Sequence, residues 1–490
     1  MAKRAPDKDL PIVIVGAGFA GMCMAIELQG AGIESFVILE ADEEIGGTWR
    51  DNTYPGCACD IPSHLYSYSF ELNPNWSCTY SPQPEIQDYL LRCAEKYDLY
   101  NKIRFNTEIK EAYFDESTHA WTLVSNNGES FEARAVILGV GPLSRPNIPD
   151  IEGLSEFKGA AFHSAQWDHD VDLKGKKVGV IGTGASAIQI VPAIAEEVDQ
   201  LVVFQRTPPW VMPRSQRTYS ELEKKLFATI PGLQRLYRSL IYWRNEAFAV
   251  GFVTEKRIMR LFEWMAKRYI RSVFDDPQMR QWVTPDYSIG CKRVTLTDKY
   301  YPALARSNVE LVPHAVERFT PEGVVAKDGS HRELDAVVLA TGFHATDFLS
   351  YFQITGRDGR DLNQAWREGA EAYYGLAVSG FPNLFMLVGP NTGLGHNSIV
   401  FMIEAQVNLV RQCIETLLHE NLPSLEVRPA VHRRFNETLQ QRMKDTVWQS
   451  GCQSWYQEDS GKNTTLWPGY TFEYWLRTKR FNPDDFRMNW

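Results

Sequence analysis

Two glycine-rich loops are the residues of this chain most clearly shaped for chemistry, and each is of the kind that cradles a phosphate. The first, Gly16-Ala-Gly18-Phe-Ala-Gly21, follows an apolar run at 12–15; the second, Gly182-Thr-Gly184-Ala-Ser-Ala187, follows one at 178–181. A loop that leaves a strand and opens a helix turns backbone N–H groups and the positive helix end toward a pyrophosphate, and its glycines let the ligand approach the main chain. Two such loops imply two nucleotides held at once. The strands that follow tell them apart. Glu40 stands 24 residues after Gly16, and Arg206 stands 24 residues after Gly182, each closing an apolar run. A carboxylate there accepts from a ribose diol, as FAD requires, whereas an arginine, here beside Thr207, suits a 2′-phosphate. The residues therefore imply a flavoenzyme reduced by NADPH.

The elements that must position these loops are legible as punctuation. Residues 10–45 read as strand, glycine loop, helix and second strand, and residues 175–206 repeat the pattern. Residues 103–140 alternate as antiparallel strands do, with Asn126-Asn-Gly128 as a turn. Pro142, Pro146 and Pro149 mark a linker, and the second unit resumes near 308–345. Residues 216–290 are rich in Leu, Arg, Lys, Glu and aromatics at helical spacing. The expected fold is α/β, with two Rossmann-like dinucleotide-binding domains. The FAD domain (1–144 and 376–490) is split by an inserted NADP domain (145–212 and 291–375), itself interrupted by a helical insert at 213–290. Flavin and nicotinamide must meet where the domains face each other, so the chemistry belongs at that interface.

Composition excludes several classes. With 51 Lys and Arg against 61 Asp and Glu, the net charge of −10 argues against a nucleic-acid partner. No apolar stretch approaches the roughly 20 residues of a membrane helix, and the short charged lead before Ile12 is no secretory signal, so a cytoplasmic protein is expected. The eight cysteines lack zinc-like spacing, so no metal is expected, and most read as buried thiols in a reducing compartment. A monomer or weak homo-oligomer is expected.

Between the loops lies Phe157-x-Gly159-x-x-x-His163-x-x-x-Trp167, followed by Asp168. This segment resembles the fingerprint of type I Baeyer–Villiger monooxygenases. Residues 46–60, from Gly46-Gly47-Thr48-Trp49 to Asp60, are similar to that family's other fingerprint; Cys291-Lys292-Arg293 and Ser454-Trp455 match two further landmarks. The resemblance implies insertion of one oxygen atom from O2 beside the carbonyl of a small apolar ketone, through a flavin C4a-peroxide. It implies Arg293 as a fixed cation that keeps the oxygenating species anionic and stabilises the ketone adduct, oriented by Asp60. Arginine suits that role because it does not lose its proton in a protein. Thr48, Trp49, Asp60 and Asn397 are implied at the flavin, Lys292 at the 2′-phosphate with Arg206, and Trp455 at the nicotinamide. Phe157, Gly159, His163 and Trp167 are read as a conformational linker that couples nicotinamide movement to domain closure. The short lead, with residues 396–404 and 463–469, leans toward the compact hydroxyacetophenone, aryl and long-chain ketone branch.

Three other classes share parts of this pattern. A disulfide oxidoreductase of the same architecture carries a Cys after the Gly-Gly-Thr and another five residues on, where this chain has Trp49 and Tyr54. That reading is rejected. A heteroatom oxygenase, making sulfoxides or N-oxides, uses the same oxygenated flavin in protonated form; Arg293 tilts toward ketones. A non-enzymatic nucleotide-binding protein is the third class, and would bind NADPH without consuming oxygen.

Overall fold

The computed structural model of the chain describes residues 10–254, 257–344, 349, 352–452, 454–458 and 460–489. Two five-stranded sheets, all parallel, organise it. The first runs in the order Leu384–Met386, Ala135–Leu138, Ile12–Val15, Phe36–Leu39 and Ile103–Arg104. The second runs Val309–Val312, Gln200–Phe204, Lys177–Ile181, Ala336–Leu339 and Ala160–His163. Parallel strands covered on both faces read as unbroken apolar runs, because successive side chains enter opposite cores. Ile12, Ile14, Ile38 and Ile137 enter one core, and Val13, Val15, Leu39 and Val136 enter the other. The first of these cores continues through Val178, Val180, Leu201 and Val203 of the second sheet. One apolar body thus passes beneath both nucleotide units and fixes how their loops face.

The hairpins at 109–133 form as expected: Ile109–Asp115, Ala120–Ser125 and Ser130–Ala133 pair antiparallel. Gln353–Thr355 joins that sheet parallel to residues 111–113. The chain is therefore back on the first unit by residue 353, and the return expected at 376 comes earlier than the sequence suggested. The insert is helical, with helices at Glu221–Thr229, Leu233–Ala249, Arg257–Val273 and Pro277–Val283. Ser220 and Glu223 close a reciprocal capping box on the first, and Asp276 caps the last with Pro277 in its first turn. Among the described residues no helix is long and apolar enough to cross a membrane.

Two further expectations change. Ala160–His163 is an edge strand of the second sheet, so the signature that contains it belongs to that unit and not to a linker. Cys291 and Cys452 form a disulfide across 161 residues, so these two are not thiols; Cys23, Cys57, Cys59, Cys93 and Cys413 are free and buried, and Cys78 is free and half-buried.

Candidate active site

A single cleft of about 1850 Å³ runs between the two glycine loops. Small-molecule pockets typically span roughly 300–1,000 Å³, so this cleft has room for more than one ligand. In the first loop, Gly16 sits at φ +98°, and a Cβ there would come 2.7 Å from the carbonyl oxygen of Gly139. A Cβ on Gly21 would collide with the Gly16 carbonyl, so helix and strand touch only because both are glycine. Gly18 differs: its nearest neighbours stand 3.9 Å off, across the cleft mouth. Gly182 is close to Ala340 in the way Gly16 is to Gly139, while Gly184 has nothing within 4 Å, and Ala187 is buried at the start of its helix. A Cβ would be in ordinary contact at Gly18 and in open space at Gly184, so neither middle glycine is crowded where a pyrophosphate would approach. That open backbone cradle is the fit expected of a bound dinucleotide.

Glu40 lies in this cleft, buried; its carboxylate accepts from Ala17 N (2.6 Å) and Asp42 N (3.1 Å). Arg50, which the sequence reading did not single out, donates to Glu40 (3.2 Å) and pairs with Asp42 and Asp51. Thr48 opens the short helix Thr48–Asp51, and Trp49 is buried there with its indole N–H donated to the Tyr66 hydroxyl (3.0 Å). Asn397 is buried before the helix Ile399–His419 and lines the cleft. The loop that carries it is held by residues 463–467: Asn391 N donates to Thr464 O (2.7 Å), Gly393 N to Thr465 O (2.8 Å), and Trp467 N to Gly393 O (2.9 Å). The next residue down, His396, is buried with its Nε2 3.4 Å from Glu246 of the insert.

On the wall of the same cleft, Arg293 donates to Asp60 (2.5 Å) and to the Leu394 carbonyl (2.8 Å). Residues 233 positions apart are thus joined by a two-point grip on one guanidinium. The Asp60 carboxylate, outweighing the opposing effect of burial, pushes Arg293 further above its already high pKa, and Tyr456 acts in the same sense. Burial pushes the Tyr456 phenol itself up to about 12, although Arg293 opposes the rise. The site therefore holds a permanent cation that faces the cleft, its side chain 27% exposed.

Arg206 and Lys292 both line the cleft wall as well. Burial, and then the nearby Arg206 charge, lower the pKa of Lys292, whose ammonium lies 4.9 Å from the Tyr287 ring centre. Two cations that repel each other in the absence of an anion are what a 2′-phosphate would relieve. Thr207 joins them on the wall and takes the Thr183 hydroxyl on its carbonyl (2.8 Å). Trp455 also lines the cleft, 47% exposed and tilted against Tyr456 with ring centroids 4.4 Å apart, so it is no core aromatic.

The signature residues stand apart from the cleft. Phe157 packs edge-on against Phe319 (5.7 Å), and Gly159 is pressed against the Asp335 carbonyl and the Phe157 ring. Trp167 packs on Phe162 at 5.1 Å. His163 is buried, accepts from Ala165 N (3.1 Å), and meets the Gly342 carbonyl (3.0 Å) through its other nitrogen. Burial lowers its pKa, so it stays neutral. Gly342 lies where the chain crosses between units: Asn147 N donates to Gly342 O (2.8 Å), and His344 N donates to Arg145 O (3.1 Å). The units also meet at Gln189, which takes Tyr54 Oη (3.0 Å) and donates to Ala58 O (2.9 Å). Gly56 must be glycine there, since at φ +81° a Cβ would stand 2.7 Å from the Gln189 carbonyl. Of the insert at 213–290 only Tyr287 lines the cleft among the described residues; residues 454–458 and 460–461 contribute more.

Two parallel nucleotide units with a fixed cation on the wall of the cleft they share define a two-dinucleotide oxidoreductase. Residues 9–353 match the family of flavin-binding monooxygenase-like proteins. A Baeyer–Villiger monooxygenase of Pseudomonas aeruginosa is 47% identical over 97% of this chain and 91% of its own length. Another, from Streptomyces coelicolor, is 44% identical over 97% of this chain and 92% of its own. An oxidized steroid monooxygenase bound to NADP superposes with a TM-score of 0.88 at 32% identity, covering 98% of this chain and 99% of that one. OTEMO in complex with FAD and NADP gives 0.89 at 30% identity, over 99% and 100%. The chain belongs to the flavin-dependent Baeyer–Villiger monooxygenases.

Proposed function

We propose that this protein binds FAD at the Gly16 loop and NADPH at the Gly182 loop, and uses O2 to convert a small apolar ketone into an ester or lactone. The observation that carries the reading is the Arg293–Asp60 pair, which lines the same cleft as the two loops. FAD, when bound, supplies electron acceptance from the nicotinamide and activation of oxygen. The chain's own residues do the rest. Gly18 and Gly184 admit the pyrophosphates, Glu40 and Asn397 shape the flavin cleft, and Arg206, Thr207 and Lys292 take the 2′-phosphate. Arg293 offers a charge already in place for an anionic oxygen, which is worth most where it need not reorganise during reaction. Asp60 and the Leu394 carbonyl hold the guanidinium, so neither acts on the ketone directly. Trp455 and Tyr456 close the C-terminal side against water. Sulfoxide formation is the second reading, since a heteroatom needs no such cation; the Arg293 geometry ranks it below ketone oxidation. A panel of linear, aryl and cyclic ketones with one thioether, scored by product and not by NADPH loss, tests the order. Faster thioether than ketone turnover across the panel would reverse it.

A further inference from the structure

The helical insert is built inside out. Along Leu233–Ala249 the polar side chains turn inward: Gln234 donates to Asn73 O (2.7 Å), Arg238 to His64 O (2.8 Å), and Glu246 takes Thr471 N (2.6 Å). The outward face carries Leu236, Leu240 and Trp243, each 57–61% exposed, at the i, i+4, i+7 spacing of one helical stripe. On Arg257–Val273 the exposed stripe is Leu261, Trp264 and Met265, and on Thr471–Thr478 it is Phe472, Trp475 and Leu476. These stripes are continuous. Phe248 meets Phe262 at 5.9 Å, and Trp243 meets Phe472 at 6.0 Å. A soluble surface scatters its apolar residues singly, so a joined patch across three helices needs an occupant.

Charge says which. The segment 213–290 holds fourteen Lys and Arg against eight Asp and Glu, within a chain whose acids outnumber its bases. Arg235, Arg244, Arg260, Arg268 and Lys479 are exposed among the apolar stripes. No acidic side chain on the three helices is exposed: Glu246 is buried, and Glu263 and Glu473 are half-buried, the latter paired with Arg442 and Arg477. A second copy of the chain would set arginine against arginine in a two-fold contact, which disfavours self-association. An anionic bilayer surface satisfies both features, since Trp and Leu enter the headgroup boundary while Arg and Lys reach up to the phosphates.

We infer that the face formed by these three helices docks the enzyme on anionic lipid membranes, the helices lying in the interface plane and not crossing it. The inference rests on the surface alone and stands whichever substrate the cleft takes. The test is flotation of the FAD-loaded full chain with phosphatidylcholine vesicles, with and without phosphatidylglycerol. Binding is expected only with phosphatidylglycerol present and is expected to weaken with salt. Leu240→Glu/Trp243→Glu is expected to bind about tenfold more weakly, and Arg244→Gln/Arg268→Gln to lose the salt dependence. Both should keep the parental melting temperature and turnover of a water-soluble ketone. Absence of binding to phosphatidylglycerol vesicles at low salt overturns the inference, as does binding that neither variant changes. So does sedimentation as a dimer that Leu240→Glu/Trp243→Glu dissociates, because the face would then belong to a second copy.

Discussion

Replacing Arg293 is the perturbation that most directly separates oxygenation from reduction. Its guanidinium spends one N–H edge on Asp60 (2.5 Å) and another on the Leu394 carbonyl (2.8 Å), leaving its exposed quarter toward the cleft. Loss of a pre-placed donor for a developing anion typically costs about 10²–10³ in rate. Asp60 already neutralises part of this charge, which places Arg293→Ala toward the lower end, on the order of 10² in ester formation. Neither glycine loop touches the pair, so NADPH-driven reduction of the flavin should stay near the parental rate. Arg293→Lys supplies a charge but only a compact ammonium in place of the fork, so it cannot hold Asp60 and Leu394 O in the same geometry. It should fall between parent and Arg293→Ala. Asp60→Asn leaves the cation and loosens its aim, and should cost about tenfold, short of the transition-state loss. Stopped-flow reduction under anaerobic conditions, followed by ester quantitation in air, reads both steps in one preparation. Equal losses in reduction and oxygenation would show that the pair only holds the fold together. Full ketone conversion by Arg293→Ala would remove it from the chemistry.

Three other outcomes follow from the same geometry. Arg206→Ala should raise the KM for NADPH by about tenfold or more with little effect on NADH, since only NADPH carries the extra phosphate; steady-state kinetics with both cofactors checks it, and equal losses would refute it. His163→Ala should keep FAD bound yet slow ketone turnover, because the Gly342 crossing loses its buried partner; loss of melting temperature with full turnover would leave His163 a purely structural residue. Cys452→Ser should retain flavin reduction but release more hydrogen peroxide per NADPH, because Cys452 ties the loop of Trp455 to the segment of Arg293; peroxide yield unchanged from the oxidised parent would refute the tether.

The parallel strands and both glycine loops were legible because burial on two faces and close backbone approach each leave a mark on consecutive residues. Glu40 and Arg206 stand at a fixed distance along a unit that repeats, and both line the cleft. What failed to show depended on partners far away in sequence. Gln353–Thr355 is a three-residue edge strand whose assignment comes from residues 111–113, and nothing in Gln-Ile-Thr announces that partner. Ala160–His163 carries too little apolar bulk to read as a strand until Ala336–Leu339 covers it. The disulfide joins cysteines 161 residues apart, a pairing that spacing cannot select. Arg50 sat unremarked inside a recognised segment, because its meaning comes from Glu40 and Asp42 closing around it. The insert's helices were evident from their period, but not which face turns inward, since periodicity reports a stripe and not what covers it.

The contacts between the two units also say how they can move. The chain crosses twice, near 145–147 and near 341–344, and the two crossings are hydrogen-bonded to each other through Asn147, Gly342 and His344, with the Thr341 hydroxyl on Asn147 O (2.6 Å). The two crossings therefore form one short hydrogen-bonded ribbon between the units. His163, at the end of an edge strand of the second sheet, meets that crossing at the Gly342 carbonyl (3.0 Å). Gln189 on Ala58 and the Cys291–Cys452 bond supply further ties between the units, one polar and breakable and one covalent. With the covalent tie in place, the Arg293 segment and the Trp455 loop must move together. His163 thus joins the signature to the inter-unit crossing at Gly342, and the disulfide joins the loop that carries Trp455 to the segment that carries Arg293.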